Sequence, residues 1–166
     1  MPAVELRVLA DTSDDNELGR AIVREYVVAT AHEQAAPGRD PDIDALIPYI
    51  PDWHDFAGRY VRTGGTFVIA NVDGELAGCV GVTRLDDTTC EMNRLWVRKP
   101  YRKFGLGRQL AIASMDAARA LGFTRMLLDV LPRRTGAIAL YESLGFVQVP
   151  PIHEYAFPMV FLGRDL

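Results

Sequence analysis

Apolar and polar residues alternate from Val4 to Leu9 (VELRVL), the two-residue period of a strand with one buried face. From Asp14 to about Glu33 the period lengthens. Leu18, Ile22, Tyr26 and Ala29 then share one helical face, and acids occupy the first turn, where the helix dipole favours them. Residues 35–41 (AAPGRDP) predict a loop, and Asp42 to Thr63 predicts one or two short helices broken around Pro48 and Pro51. Strand patterns follow at Thr66–Val72 and Glu75–Leu85. Asp73-Gly74 between them is a two-residue hairpin signal. Asp86-Asp87-Thr88 turns the chain into a further strand, Thr89–Val97.

The second half changes rhythm. A helix is predicted over Gly105–Leu121, a strand over Thr124–Leu131, a helix from about Thr135 to Leu144 and a strand from Phe146. Both helices stop at the same punctuation, Leu121-Gly122-Phe123 and Leu144-Gly145-Phe146, where glycine supplies the left-handed residue past the last turn. A last strand is expected over Ala156–Leu162, placed at an edge or interrupted by Pro158. The pattern is that of a single α/β domain over residues 1–166, its antiparallel first half running into a βαβ-like second half. No repeat, linker or low-complexity tract divides it.

Composition narrows the class. With 166 residues, 49% hydrophobic and 24% charged at a net charge of -4, the chain is too apolar to be disordered, and at this length it needs no disulfide or metal staple. Cys79 and Cys90 lie in apolar strand-like runs, which predicts reduced, buried thiols and a cytoplasmic protein. Neither a signal-like N-terminus nor an apolar run of spanning length is present, so no membrane partner is expected. His32, His54 and His153 show no ligand spacing, and no metal is expected. Trp53 and Trp96 are expected to pack.

Charge is uneven. Residues 1–60 hold twelve acids and five arginines, and residues 61–166 hold ten acids and thirteen Lys or Arg. The acidic half, with Asp40, Asp42, Asp44, Asp52 and Asp55, points to a cationic ligand drawn in electrostatically. Between Glu91 and Asp116 there is no acid, while Arg94, Arg98, Lys99, Arg102, Lys103 and Arg108 all fall there. That is a local anion site or a solvated basic face. A pI near 5.3 and the lack of an aromatic-interleaved basic stripe argue against nucleic acid.

Strand Glu91–Val97, the basic turn Arg98–Lys103 and Phe104-Gly105-Leu106-Gly107 opening a helix form the arrangement that aims free backbone N–H groups at a phosphate. It is neither a dinucleotide fingerprint nor a P-loop, since Leu110 stands where a third glycine would fall and no Gly-Lys-Ser/Thr follows. Together with Glu91-Met92-Asn93-Arg94-Leu95-Trp96-Val97 and Ala137-Ile138-Ala139-Leu140-Tyr141-Glu142-Ser143-Leu144-Gly145-Phe146, it resembles the GNAT superfamily of acyl-CoA-dependent N-acetyltransferases. The resemblance is specific over residues 89–147 and topological before them. It implies a central mixed, mostly antiparallel sheet flanked by about four helices and splayed between the fourth and fifth strands.

The resemblance further implies acetyl-CoA as co-substrate, a small-molecule or peptide amine as acceptor, direct transfer in a ternary complex, and a monomer or homodimer. Backbone amides from Arg102 through Lys103, Phe104, Gly105, Leu106 and Gly107 to Arg108 would hold the pyrophosphate. Leu95 and Val97, with Trp96 between them, would pair main chain to main chain with the pantetheine arm. Arg134 stands three residues before Ala137, where many members place asparagine, and would meet a cofactor phosphate or solvent. Acetyl transfer needs a deprotonated amine, an oxyanion donor and a proton for the departing thiolate. Tyr141 is in place as the acid, with a phenol pKa of about 10. Glu91 is the candidate base; strand alternation would put it on one face with Asn93, Leu95 and Val97, and its alternative is an ion pair with Arg94 or Arg84. A backbone N–H near Leu95 is the implied oxyanion donor. His153 and Tyr155 would line the acceptor cleft by analogy or sit in a surface loop. The rival readings are a non-catalytic acyl-CoA-binding module and a nucleotide-binding domain of another kind.

Overall fold

The computed structural model describes residues 1–166. Seven strands form one sheet: β1 (Val4–Val8), β2 (Thr66–Val72), β3 (Glu75–Arg84), β4 (Thr89–Val97), β5 (Arg125–Val130), β6 (Val147–Gln148) and β7 (Val160–Asp165). Their order in space is β1-β2-β3-β4-β5-β7-β6, antiparallel throughout except between β4 and β5. The Asp73-Gly74 hairpin is present, with φ of 50° and 85° at its two central residues.

Three longer helices flank the sheet: α1 (Ser13–Gln34), α4 (Leu106–Ala120) and α5 (Thr135–Ser143). The region between Asp42 and Thr63 is more broken than the pattern implied. It holds two single-turn helices, α2 (Ile43–Leu46) and α3 (Pro51–His54), a tight turn at Ile47–Tyr49 and a wide turn at Gly58–Arg62. Pro48 and Pro51 each begin a turn, where their missing N–H costs nothing, and so restart the helix rather than extend it.

The sheet divides the core in two. On one face α4 and α5 bury Leu106, Leu110, Ala111, Met115, Tyr141 and Leu144 against Val80, Val82, Met92, Met126 and Leu128. On the other, Ile22 and Val23 of α1 join Phe56, Tyr60, Phe67, Ile69 and Cys79.

Two expectations need correction. The last strand is Val160–Asp165, not Ala156–Leu162, and lies inside the sheet, with β5 on one side and β6 on the other. Pro158 cannot donate to a ladder, so pairing starts beyond it, and the sheet's edge falls to the two-residue β6. The second concerns β4. Its register against β3 shifts by one residue between Cys79 and Gly81, where Arg94 takes φ 56°. This bulge reverses the alternation. Gly81, opposite Asn93, approaches Tyr60 on the α1 side, whereas Leu95 and Val97 pack into the α4 side. Glu91 and Asn93 therefore share a face with Trp96, not with Leu95 and Val97.

Candidate active site

The parallel pair β4–β5 holds for only three residues, Thr89 with Arg125, Cys90 with Met126 and Glu91 with Leu127. Beyond Glu91 the strands part into a cleft of about 1390 Å³. Glu91, Leu95, Trp96, Val97, Arg102, Gly107, Arg134, Ala137 and Tyr141 line it. Of the other predicted coenzyme residues, Lys103 and Phe104 are exposed, Leu106 and Arg108 sit in the first turn of α4, and none of these four lines the cleft through its side chain.

The Arg98 amide donates to the Ala77 carbonyl at 2.8 Å, which sets the phase of the β3–β4 ladder. Leu95 and Val97 consequently turn their amides and carbonyls toward the parted side. The Arg102 guanidinium donates to the Val97 carbonyl at 2.9 Å and lies 4.8 Å over the Trp96 ring. Gly105, at φ 66°, makes the left-handed step into α4 that a residue with a Cβ takes only under strain. No side chain caps α4, and its first internal bond, from the Gln109 amide to the Gly105 carbonyl, is 3.2 Å long. The amides ahead of Gln109 in that turn are free of the helical ladder.

The basic run is less free than its sequence implied. Arg94 is tied to Asp52, Arg98 to Glu25 and the Leu76 carbonyl, Arg102 to Val97, and Arg108 to Ser143. Arg134 lines the cleft while tied within the chain: its Nε lies 2.9 Å from Glu33 Oε2, and its Nη2 donates to Thr30 at 2.9 Å, fastening α5 to α1.

Glu91 occupies the crotch of the opening. It is 8% exposed and pairs with neither Arg94 nor Arg84; His153 Nε2 lies 2.8 Å from its Oε2. Burial pushes its carboxyl above the ordinary glutamate range, and Asp129 adds to the rise, while the His153 hydrogen bond and Arg59 oppose it. Asp129 accepts from the Tyr155 hydroxyl at 2.6 Å. Glu91, Asp129 and His153 offer ligand atoms within 4.8 Å of one another, a grouping that linear spacing hides because each comes from a different segment.

Tyr141 is 7% exposed, packs edge-on against Phe146 at 5.9 Å and lines the cleft. Burial raises its phenol pKa, so it stays protonated at neutral pH. Both thiols are fully buried, and burial raises both, Cys90 to about 12.

Of the acids singled out in the first half, Asp40, Asp42, Asp44 and Asp55 are exposed, and Asp52 alone is withdrawn from solvent. Asp52 is wholly buried, bonded to Arg94 and Tyr60; Asp55 caps Gly58 and pairs with Arg62; Asp42 caps Ala45. Burial alone would raise the Asp52 carboxyl, but Arg94, Arg59 and Tyr60 hold it below the usual range.

Sequence reading missed Asp129 and Arg59 as cleft residues. A lone acid inside RMLLDV was the available signal for Asp129; Arg59, in FAGRYVR, carried none.

A sheet opened at its one parallel pair, with an uncapped helix mouth beside the opening, defines the acyl-CoA N-acyltransferase architecture. The sequence profile described as the acetyltransferase (GNAT) family matches residues 25–146, reaching well upstream of residue 89, and the chain belongs to that family. It is 30% identical over 113 residues to the uncharacterized N-acetyltransferase YjgM of Escherichia coli, covering 66% of this chain and 62% of that protein. It is also 30% identical over 109 residues to N-acetylaspartate synthetase of Danio rerio, covering 64% and 39%. The chain thus spans less than two thirds of either relative's length. Among solved structures it resembles a GNAT acetyltransferase of Staphylococcus aureus (TM-score 0.76, 18% identity, 98% and 99% covered). It also resembles the PaiA N-acetyltransferase of Thermoplasma acidophilum in complex with coenzyme A (TM-score 0.73, 16% identity, 99% of each chain). No helix is long and apolar enough to cross a membrane.

Proposed function

We propose that this protein is an N-acetyltransferase that moves acetyl from acetyl-CoA to a primary amine by direct transfer in a ternary complex. One observation carries the reading: β4 leaves β5 after Glu91, so that an open strand edge runs along a large cleft from an acid–base pair to an uncapped helix mouth. The diphosphate is proposed to rest on the amides from Arg102 to Arg108, with the pantetheine arm along Leu95 and Val97. That a protein of similar fold, the PaiA N-acetyltransferase of Thermoplasma acidophilum, is seen in complex with coenzyme A supports coenzyme A as the ligand.

In the reaction, the amine nitrogen attacks the thioester carbonyl. Its proton passes to Glu91, directly or through water, since an alkyl amine of pKa about 10.4 is mostly protonated at neutral pH. A main-chain N–H near Leu95 would stabilise the oxyanion. When the C–S bond breaks, the thiolate takes its proton from Tyr141. The buried, neutral thiols of Cys79 and Cys90 support direct transfer over an acyl-enzyme. The working unit is read as one domain over residues 1–166, with 89–147 as its coenzyme-binding core, acting in the cytoplasm.

Calorimetry with acetyl-CoA, paired with a thiol-release assay over a panel of amines, tests this. Binding together with acceptor-dependent release is expected. Tight binding with no acceptor-dependent release would replace the enzyme with an acyl-CoA-binding module, and preference for NAD or ATP over coenzyme A would overturn both.

A further inference from the structure

The acceptor half of the cleft holds a charge imbalance that the proposed reaction leaves unused. Asp52 is wholly buried and carries the one carboxylate in its pocket, yet two guanidinium groups lie against it. Arg94 takes the bidentate position, Nη2 at 2.7 Å and Nε at 3.3 Å, and the Tyr60 hydroxyl donates to Oδ2. Arg59 is left with its Nε 3.4 Å from Oδ1, outside hydrogen-bonding geometry, and that nitrogen is buried without a partner. Its side chain is 27% exposed, lies over the Tyr60 ring at 5.4 Å and lines the cleft.

Other cleft arginines are engaged: Arg134 by Glu33, Arg102 by the Val97 carbonyl, Arg84 by Asp87 and the Asp86 carbonyl. Arg59 therefore adds one uncompensated positive charge and a fork of unused donors to a partly dry wall, where an anion is worth more than in water. The same cleft is lined by Glu91 and Asp129, two carboxylates whose partners are an imidazole and a phenol rather than a guanidinium. Arg59 is close enough for its charge to act on Glu91. One cleft thus carries both a cation with unused donors and two carboxylates that no guanidinium pairs.

We propose that Arg59 binds a carboxylate of the acceptor, so that the acceptor is a free amino acid or a similar small amine bearing a carboxylate, with its amine directed to Glu91. A polyamine leaves Arg59 unneutralised, and a peptide N-terminus has lost its α-carboxylate to the peptide bond, so it brings a carboxylate only where its first side chain is acidic. This inference rests on the acetyltransferase reading and goes beyond it by naming the acceptor class.

The test measures thiol release from acetyl-CoA with matched sets: each amino acid, its methyl ester and the amine left by decarboxylation. The native protein is expected to favour the free acid in kcat/KM by about ten-fold or more, the scale of a charge-assisted hydrogen bond. Arg59→Gln should remove that preference through the acceptor's KM while leaving the KM for acetyl-CoA in place, and Arg59→Lys should restore part of it. Melting curves with and without coenzyme A show that each variant is folded. Equal use of acids, esters and amines by the native protein overturns the carboxylate site, as does an intact preference in folded Arg59→Gln. Absence of thiol release with every acceptor, despite acetyl-CoA binding, sinks the acetyltransferase reading itself and the inference with it.

Discussion

Glu91 and Tyr141 are proposed to divide the proton traffic, and their surroundings set opposite demands. With Glu91 as base, activity needs its carboxylate, so turnover falls as pH drops through its pKa. Burial has raised that pKa, which places the acid limb of the kcat/KM profile above the value near 4.3 of an unperturbed glutamate. His153 holds the pKa down; His153→Ala should therefore move the limb to still higher pH. A limb that stays put in the variant removes His153 from any part in tuning the base. Tyr141→Phe keeps the ring contact with Phe146 but removes the proton donor, and kcat should fall on the order of a hundred-fold with acetyl-CoA affinity nearly unchanged. Unaltered turnover at saturating substrate would take Tyr141 out of the mechanism. Both residues stand out in sequence because they lie in continuous motifs. Arg59 and Asp129 do not, and His153, placed at the cleft by analogy, could not be paired with Glu91, because no local pattern records which distant side chain each will meet.

At the scale of elements, the bulge in β4 matters most. Arg94 at φ 56° reverses the strand's alternation, and its side chain is held by Asp52 and by the Tyr26 ring 5.4 Å away. Asp52→Ala would leave Arg94 and Arg59 without their buried counter-charge, a loss of roughly 3–5 kcal/mol in unfolding free energy at pH 7. The folded pKa of Asp52 lies below its unfolded value, so its contribution is whole above pH ~4 and fades as pH falls further. Urea titrations of the two proteins should accordingly converge in acid; a gap that persists undiminished would refute the ionic account. Gly105→Ala should strain the step into α4 by roughly 1 kcal/mol and raise the KM for acetyl-CoA several-fold, with less effect on kcat. An unchanged KM would show that this turn does not hold the diphosphate. The hairpin at Asp73-Gly74 and the helix stops at Gly122 and Gly145 were readable because their chemistry is local. The bulge was not, since EMNRLWV looks like an unbroken strand until β3 and Asp52 impose its register.

For the whole molecule, the parted strands are a wedge that ligand would fill. A coenzyme bound only by the folded state at a hundred times its Kd adds about 2.7 kcal/mol, enough to raise the Tm by roughly 5–10 °C in a chain of this size. Thermal melting with coenzyme A, and with adenosine alone as control, checks this; no shift with coenzyme A would deny the cleft its proposed ligand.

Sequence alone determined the α/β class, most strand and helix positions, the glycine-bearing turn after β4 and the family resemblance, because periodicity, turn residues and contiguous motifs act over a few residues. Tertiary structure decided that β7 inserts between β5 and β6, that Arg94 breaks the alternation of β4, that Asp52 is buried against Arg94 and Tyr60, and that His153 and Asp129 gather beside Glu91. Those outcomes depend on pairing between segments tens of residues apart, where buried charge must find its partner wherever the chain brings one.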